Sequence, residues 1–157
     1  MKLYTSCYSR MNRFPDNWLC IGISRFIPNE LQTTEIKNFL YTPNSILAPS
    51  KELLSDIKAG KINNEEYARR YYTELGQSIK RLGFSSSNEY FARMISELSR
   101  GGEWEAVVFL CYENPNEFCH RHLLSALMRK NGISIEEWSP SSRGSSKDDF
   151  NGSSALF

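Results

Sequence analysis

The chain is poor in cysteine: four in 157 residues, with no CxxC pair. That is too few for a disulfide framework, so reduced thiols are the expectation. It also lacks any apolar stretch near the ~20 residues that cross a bilayer, and its N-terminus carries no apolar run of the secretory kind. A cytoplasmic protein with no membrane partner is expected. Charge of one sign is missing as well. Nineteen basic residues against eighteen acidic ones leave a net charge of +1, which gives no field to attract a polyanion, so nucleic acid is not an expected partner.

What is present fits one folded unit. A chain of this length with 40% hydrophobic and 24% charged residues can bury a core of ordinary size. Residues 2–8 and 18–27 read as strands, joined by a short link whose turn formers leave their relative direction open. Residues 28–49 hold three prolines and no sustained period, which reads as an irregular segment. Ser50 caps a short helix through Ile57, Asn63 with Glu66 forms a capping box for a longer one, and Ser86 with Glu89 opens a third that stops at Gly101 and Gly102. Residues 133–138 read as a last strand. The Ser/Gly-rich stretch from 140 to 157 reads as a disordered tail after an α/β domain over 1–139. Strands alternating with helices imply a small, mostly parallel sheet with its ligand site at the strands' carboxyl ends.

One segment concentrates reactive side chains. Residues 106–111, AVVFLC, read as a strand covered on both faces. The next residues suggest a helix capped by Asn114, with Pro115 first and Glu117 closing a capping box. At about 100° per residue, Leu123, Leu124, Leu127 and Met128 make the apolar stripe of that helix, with His120 near its centre. Cys119 and Arg121 flank the stripe, and His122 points to solvent.

Strand ends of such a sheet bring Tyr8, Arg25, Cys111 and Glu113 to one rim beside the helix start. A helix N-terminus and an arginine fork both suit phosphate or carboxylate. Arg25 paired with Glu113 at the sheet edge is the plainer alternative. A thiol beside a helix N-terminus can have its pKa lowered to about 3.5–7.5, so Cys111 is a candidate nucleophile with His120 as its base. A buried Cys111 that only packs, and a core His120 satisfied by one carbonyl, remain the alternatives. The pattern Cys-x7-Cys-His-x-His invites zinc, but adjacent Cys119 and His120 diverge by about 100° on a helix, so no metal site is expected. Disulfide exchange between Cys111 and Cys119 is a lesser option. Tyr67, Tyr71 and Tyr72 with Arg69 and Arg70 follow helical spacing, which explains them as stripe and solvated face without a nucleic-acid strand.

The motifs Leu3-Tyr4-Thr5-Ser6 with Tyr8, Ile23-Ser24-Arg25 with Pro28, and Leu47-Ala48-Pro49-Ser50 are distinctive together. So are Lys58-x-Gly60-Lys61-Ile62 with Glu66-Tyr67, and Leu110-Cys111-Tyr112-Glu113 with Phe118-Cys119-His120-Arg121-His122. In these the chain resembles the domain-of-unknown-function 488 family of bacteria and their viruses, over residues 2–138. The resemblance implies a compact α/β fold. It also implies that Cys111, Glu113, Cys119, His120 and Arg121 belong to the recognition motif, with Thr5, Tyr8, Arg25 and Pro28 in its N-terminal part. It names no substrate and no cofactor.

The reading of the sequence is therefore an enzyme-like α/β domain, of hydrolase or transferase type, that binds a small anionic molecule, nucleotide-like or phosphorylated. Cys111, Glu113 and His120 are the expected catalytic residues. Tyr8, Arg25, Cys119 and Arg121 are the expected ligand-binding ones. A non-catalytic ligand-binding or protein-interaction module is the competing reading.

Overall fold

A computed structural model describes residues 1–32, 36–112 and 118–140. The order of elements is β1 (Lys2–Cys7), a 3-10 helix (Tyr8–Arg13), β2 (Trp18–Gly22), α1 (Asn29–Gln32), β3 (Phe39–Tyr41), α2 (Lys51–Lys58), α3 (Asn64–Arg81), α4 (Ser87–Arg100), β4 (Ala106–Cys111), α5 (His120–Lys130) and β5 (Glu136–Glu137). The five strands form one sheet in the order β3-β2-β4-β1-β5, and every pairing is parallel. The α/β fold is as expected, and the open direction of the first two strands is settled. Both run parallel to β4, one on each side of it.

The capping signals fall where the sequence put them. The side chains of Ser50, Asn63 and Ser86 accept from the backbone N–H groups of Leu53, Glu66 and Glu89. Each satisfies one of the orphan donors of a helix start. Helix α3 ends in a reversal through Gly83, whose φ of 93° would strain a side chain, and Phe84 N–H closes it on the Ile79 carbonyl.

Strand β4 is central and buried on both faces, which accounts for its unbroken apolar run. Val107 and Phe109 face a core built with Leu53, Tyr71, Leu75, Phe91, Leu123 and Met128 from helices α2 to α5. Val108 and Leu110 face a smaller cluster with Tyr8 and Cys20, covered by Met11, Phe14 and Leu31. The pleat therefore sends Cys111 to the side of the long helices.

Three boundaries differ from the sequence reading. Strand β2 leaves the sheet at Gly22 instead of continuing to residue 27, because the Ser24 hydroxyl donates to the Phe26 carbonyl at 2.5 Å and turns the chain. The proline-rich segment contains β3, which pairs Phe39–Tyr41 with Cys20–Gly22. The last strand is two residues long, continued by Trp138 N–H donating to the Thr5 carbonyl. Positions 141–157, expected as a tail, lie outside the described residues. No described helix is long and apolar enough to cross a membrane.

Candidate functional site

The register of the three inner strands builds the site. Cys7 and Cys111 are level at the carboxyl ends of β1 and β4, and Ile23 N–H donates to the Leu110 carbonyl just beyond β2. Above that edge opens a pocket of about 450 Å³ whose floor includes Cys111, Cys119 and His120. Its walls carry Ser24, Arg25 and Lys58, with Phe26, Tyr67, Tyr112 and Phe118 supplying aromatic surface. Among the described residues no carboxylate lines it, and Arg25 and Lys58 are the cationic side chains on its walls.

The helix that bears the motif begins later than its sequence suggests. Helix α5 starts at His120, and Cys119 is its N-cap, extended at φ −149° and ψ 146°. Asn114, Pro115 and Glu117 lie outside the described residues, but the cap position itself belongs to Cys119. This corrects the divergence argument. Since Cys119 is not on the helix, its thiol is not held about 100° away from the His120 ring, and the two converge.

The convergence is tight. The sulfurs of Cys111 and Cys119 are hydrogen-bonded at 2.9 Å, and His120 Nδ1 is 3.7 Å from each. His120 Nε2 lies 2.8 Å from the Ile23 carbonyl oxygen. A carbonyl can only accept, so Nε2 carries the hydrogen and Nδ1 is left to exchange a proton with the sulfurs. Burial alone would push the Cys119 thiol up. The hydrogen bond with Cys111 and the nearby His120 and Arg121 outweigh it and hold the thiol at about 6. The N-terminal dipole end of α5 acts in the same direction.

Not every expected residue reaches the pocket. Arg25 does: it is half-buried, and its guanidinium donates to the Pro49 carbonyl at 2.9 Å, to Asn44 Oδ1 at 3.3 Å and to the Ala48 carbonyl at 3.4 Å. Among the described residues these three acceptors engage three of its five N–H groups. Tyr8 is buried below the rim, its hydroxyl 2.6 Å from Ser24 Oγ, and burial raises its pKa well above the ordinary phenol. It braces Ser24 and does not line the pocket. Glu113, the expected carboxylate, lies outside the described residues.

Arg121 is fully buried behind the floor, paired with Glu137 at 3.0 Å. Burial opposes its charge, but Cys119, Glu137 and Cys111 keep it a cation. His122, expected in solvent, is buried as well. The whole first turn and a half of α5, from His120 to Ser125, is enclosed, so no face of it is left for water.

The two sulfurs and Nδ1 are also the set that a soft metal would use, all within 4.8 Å of one another. The Sγ–Nδ1 distances suit tetrahedral zinc. The sulfurs do not, since zinc at ~2.3 Å from each would set them ~3.8 Å apart. Their 2.9 Å approach lies between that spacing and the ~2.04 Å of a disulfide bond.

The sequence reading missed three contributors. The Ile23 carbonyl has no side-chain signal, and Lys58 and Pro49 reach the site only because α2 folds against the turn after β2. A family model described as the active DUF488-N3 subclade, DUF488-N3a, matches residues 3–132. The chain belongs to that family, and the matched span contains the whole pocket. No curated protein and no solved structure matches the chain.

Proposed function

We propose that the pocket binds a small anionic molecule, nucleotide-like or phosphorylated, and that the Cys111–Cys119 pair with His120 performs a hydrolase or transferase step on it. The observation that carries this reading is the convergence of both sulfurs and Nδ1 on the floor of a pocket walled by Arg25 and Lys58. Arg25 and Lys58 hold the anion. A thiolate of the pair attacks the electrophilic atom held above it; the sulfur–substrate bond forms as the bond to the leaving group breaks, and the leaving group takes the proton held on His120 Nδ1. Water or an acceptor hydroxyl then displaces the sulfur, giving its proton to Nδ1 and regenerating the thiolate. The aromatic rim suits a ligand with a planar face. Arg121 supports the thiolate from behind without touching the ligand.

The test is a thermal-shift screen of nucleotides and phosphorylated metabolites, followed by intact-mass and product analysis of each stabilising compound. A product, or an adduct on Cys111 or Cys119 that is lost in Cys111→Ser and Cys119→Ser, is the expected result. A compound that stabilises the fold and is recovered unchanged, with no adduct, makes the protein a binding module instead. Failure of inorganic phosphate and all phosphorylated compounds to bind removes the anionic substrate.

A further inference from the structure

We infer that Cys111 and Cys119 are a redox couple, closing reversibly to an intramolecular disulfide that switches the pocket's thiolate off. The inference deepens the proposed function in that it uses the same two sulfurs, but it needs no substrate to be tested.

The placement of the two thiols carries it. One is fixed at the end of the central strand and the other at a helix N-cap, so neither depends on a solvent-exposed side chain for its position. Their sulfurs are already at 2.9 Å, and a bond of ~2.04 Å needs an approach of only ~0.9 Å. Seven residues separate them, which is a ring that a disulfide closes readily. Both sulfurs line the pocket, yet Cys111 is 2% and Cys119 3% exposed. A small oxidant reaches them and a protein dithiol does not. The reactive partner is therefore of the hydroperoxide class, and the reductant is a small thiol.

The chemistry balances in two steps. The Cys119 thiolate attacks one peroxide oxygen: an S–O bond forms, the O–O bond breaks, and the departing oxygen takes a proton from solvent. Cys119 is oxidised by two electrons to the sulfenic acid and the peroxide is reduced to water or alcohol. Cys111 sulfur then attacks Cys119 sulfur, the S–S bond forms, and the S–O bond breaks. The hydroxide leaves as water with the Cys111 proton, which His120 Nδ1 at 3.7 Å from both sulfurs can pass. Two equivalents of a small thiol reverse the reaction.

The remaining cysteines serve as internal controls. Cys20 is on the opposite face of the sheet, and burial pushes its thiol up to about 11, where it does not react. Cys7 is buried with its sulfur 3.2 Å from Ser9 Oγ.

The experiment treats the full chain with stoichiometric hydrogen peroxide, then alkylates, digests and maps it by mass spectrometry. A Cys111–Cys119 crosslinked peptide that dithiothreitol reverts is expected. In Cys111→Ser, dimedone should trap the Cys119 sulfenic acid at least ~10-fold more than in the wild type, because the resolving thiol is gone. Equal dimedone trapping in both proteins, over-oxidation without a crosslink, or pairing with Cys7 or Cys20 would overturn the inference. So would one equivalent of zinc found on the purified chain and lost in Cys119→Ser. A crosslink without any phosphorylated adduct leaves the switch standing and sinks the proposed substrate. The reverse result does the opposite.

Discussion

The ring of His120 is locked to the backbone of Ile23: Nε2 lies 2.8 Å from that carbonyl oxygen, and Nδ1 is thereby aimed between two sulfurs at 3.7 Å each. The bend after β2 that frees this carbonyl is what orients the base. His120→Gln removes the ring charge beside Cys119, so the midpoint of thiol alkylation with pH should rise from about 6 towards the ordinary ~8.5. A rate profile with iodoacetamide across that range measures it. An unmoved midpoint would mean that the helix terminus and Arg121 hold the thiolate without the histidine.

A lowered pKa in the folded state is also a statement about stability. The Cys119 thiolate is favoured by the fold at about 6 against ~8.5 when unfolded. Its contribution is fully present above the unfolded value and is lost as pH falls through about 6. The difference in urea midpoint between wild type and Cys119→Ser should therefore widen from pH ~5.5 to ~9. A flat difference would show that the thiolate is not the form the fold prefers.

Much of this was legible in the sequence, and the failures have a common cause. Ser50, Asn63 and Ser86 were readable as caps because their partners sit three residues away in the same chain. The buried strand ending at Cys111 was readable because a strand covered on both faces needs no alternation. What depended on distant segments was not. Strand β3 is three residues paired with β2, and α5 starts at His120 with Cys119 as its N-cap, where the Cys119 sulfur meets Cys111 from the central strand. A wrong helix start sent Cys119 away from His120, whereas His122 was placed in water because the projection assumes one solvated face and the first turn and a half of α5 has none. Glu113 falls outside the described residues.

The Arg121–Glu137 pair is buried, with Arg121 fully enclosed, and Thr5 Oγ1 donates to the same carboxylate at 2.5 Å. Removing one partner strands the other. Arg121→Met should cost ~3–5 kcal/mol in urea denaturation, and adding Glu137→Leu should recover more than half of it. Both variants should also raise the alkylation midpoint of Cys119, since the cation behind it is gone in each. A double variant as unstable as the single would place the cost in packing instead.

Arg25 and Lys58 divide the work of holding an anion. Lys58 is an exposed side chain at the end of α2, so Lys58→Ala should weaken inorganic phosphate binding ~2–5-fold and leave the urea midpoint unchanged. Arg25→Gln should weaken it ~10-fold or more. It should also loosen the turn, because three backbone and side-chain acceptors lose their donor. Titration at two salt concentrations checks the electrostatic part, which must shrink at higher ionic strength. Phosphate binding equal in all three proteins would remove both cations from the site.

Gly22 is where β2 ends, and a Cβ there would sit 2.6 Å from the Tyr8 hydroxyl. That hydroxyl is 2.6 Å from Ser24 Oγ, and Ser24 makes the bend that delivers Arg25 to the pocket and the Ile23 carbonyl to His120. Gly22→Ala should therefore cost ~1–3 kcal/mol, the range for overfilling a packed site. It should also lower phosphate affinity at a distance from any ligand. In a Tyr8→Phe background the clashing oxygen is absent, so the same substitution should cost less. The cycle of four proteins in urea measures that coupling. Costs that simply add would mean that the glycine is required for the strand end alone, and that Tyr8 has no part in positioning the turn.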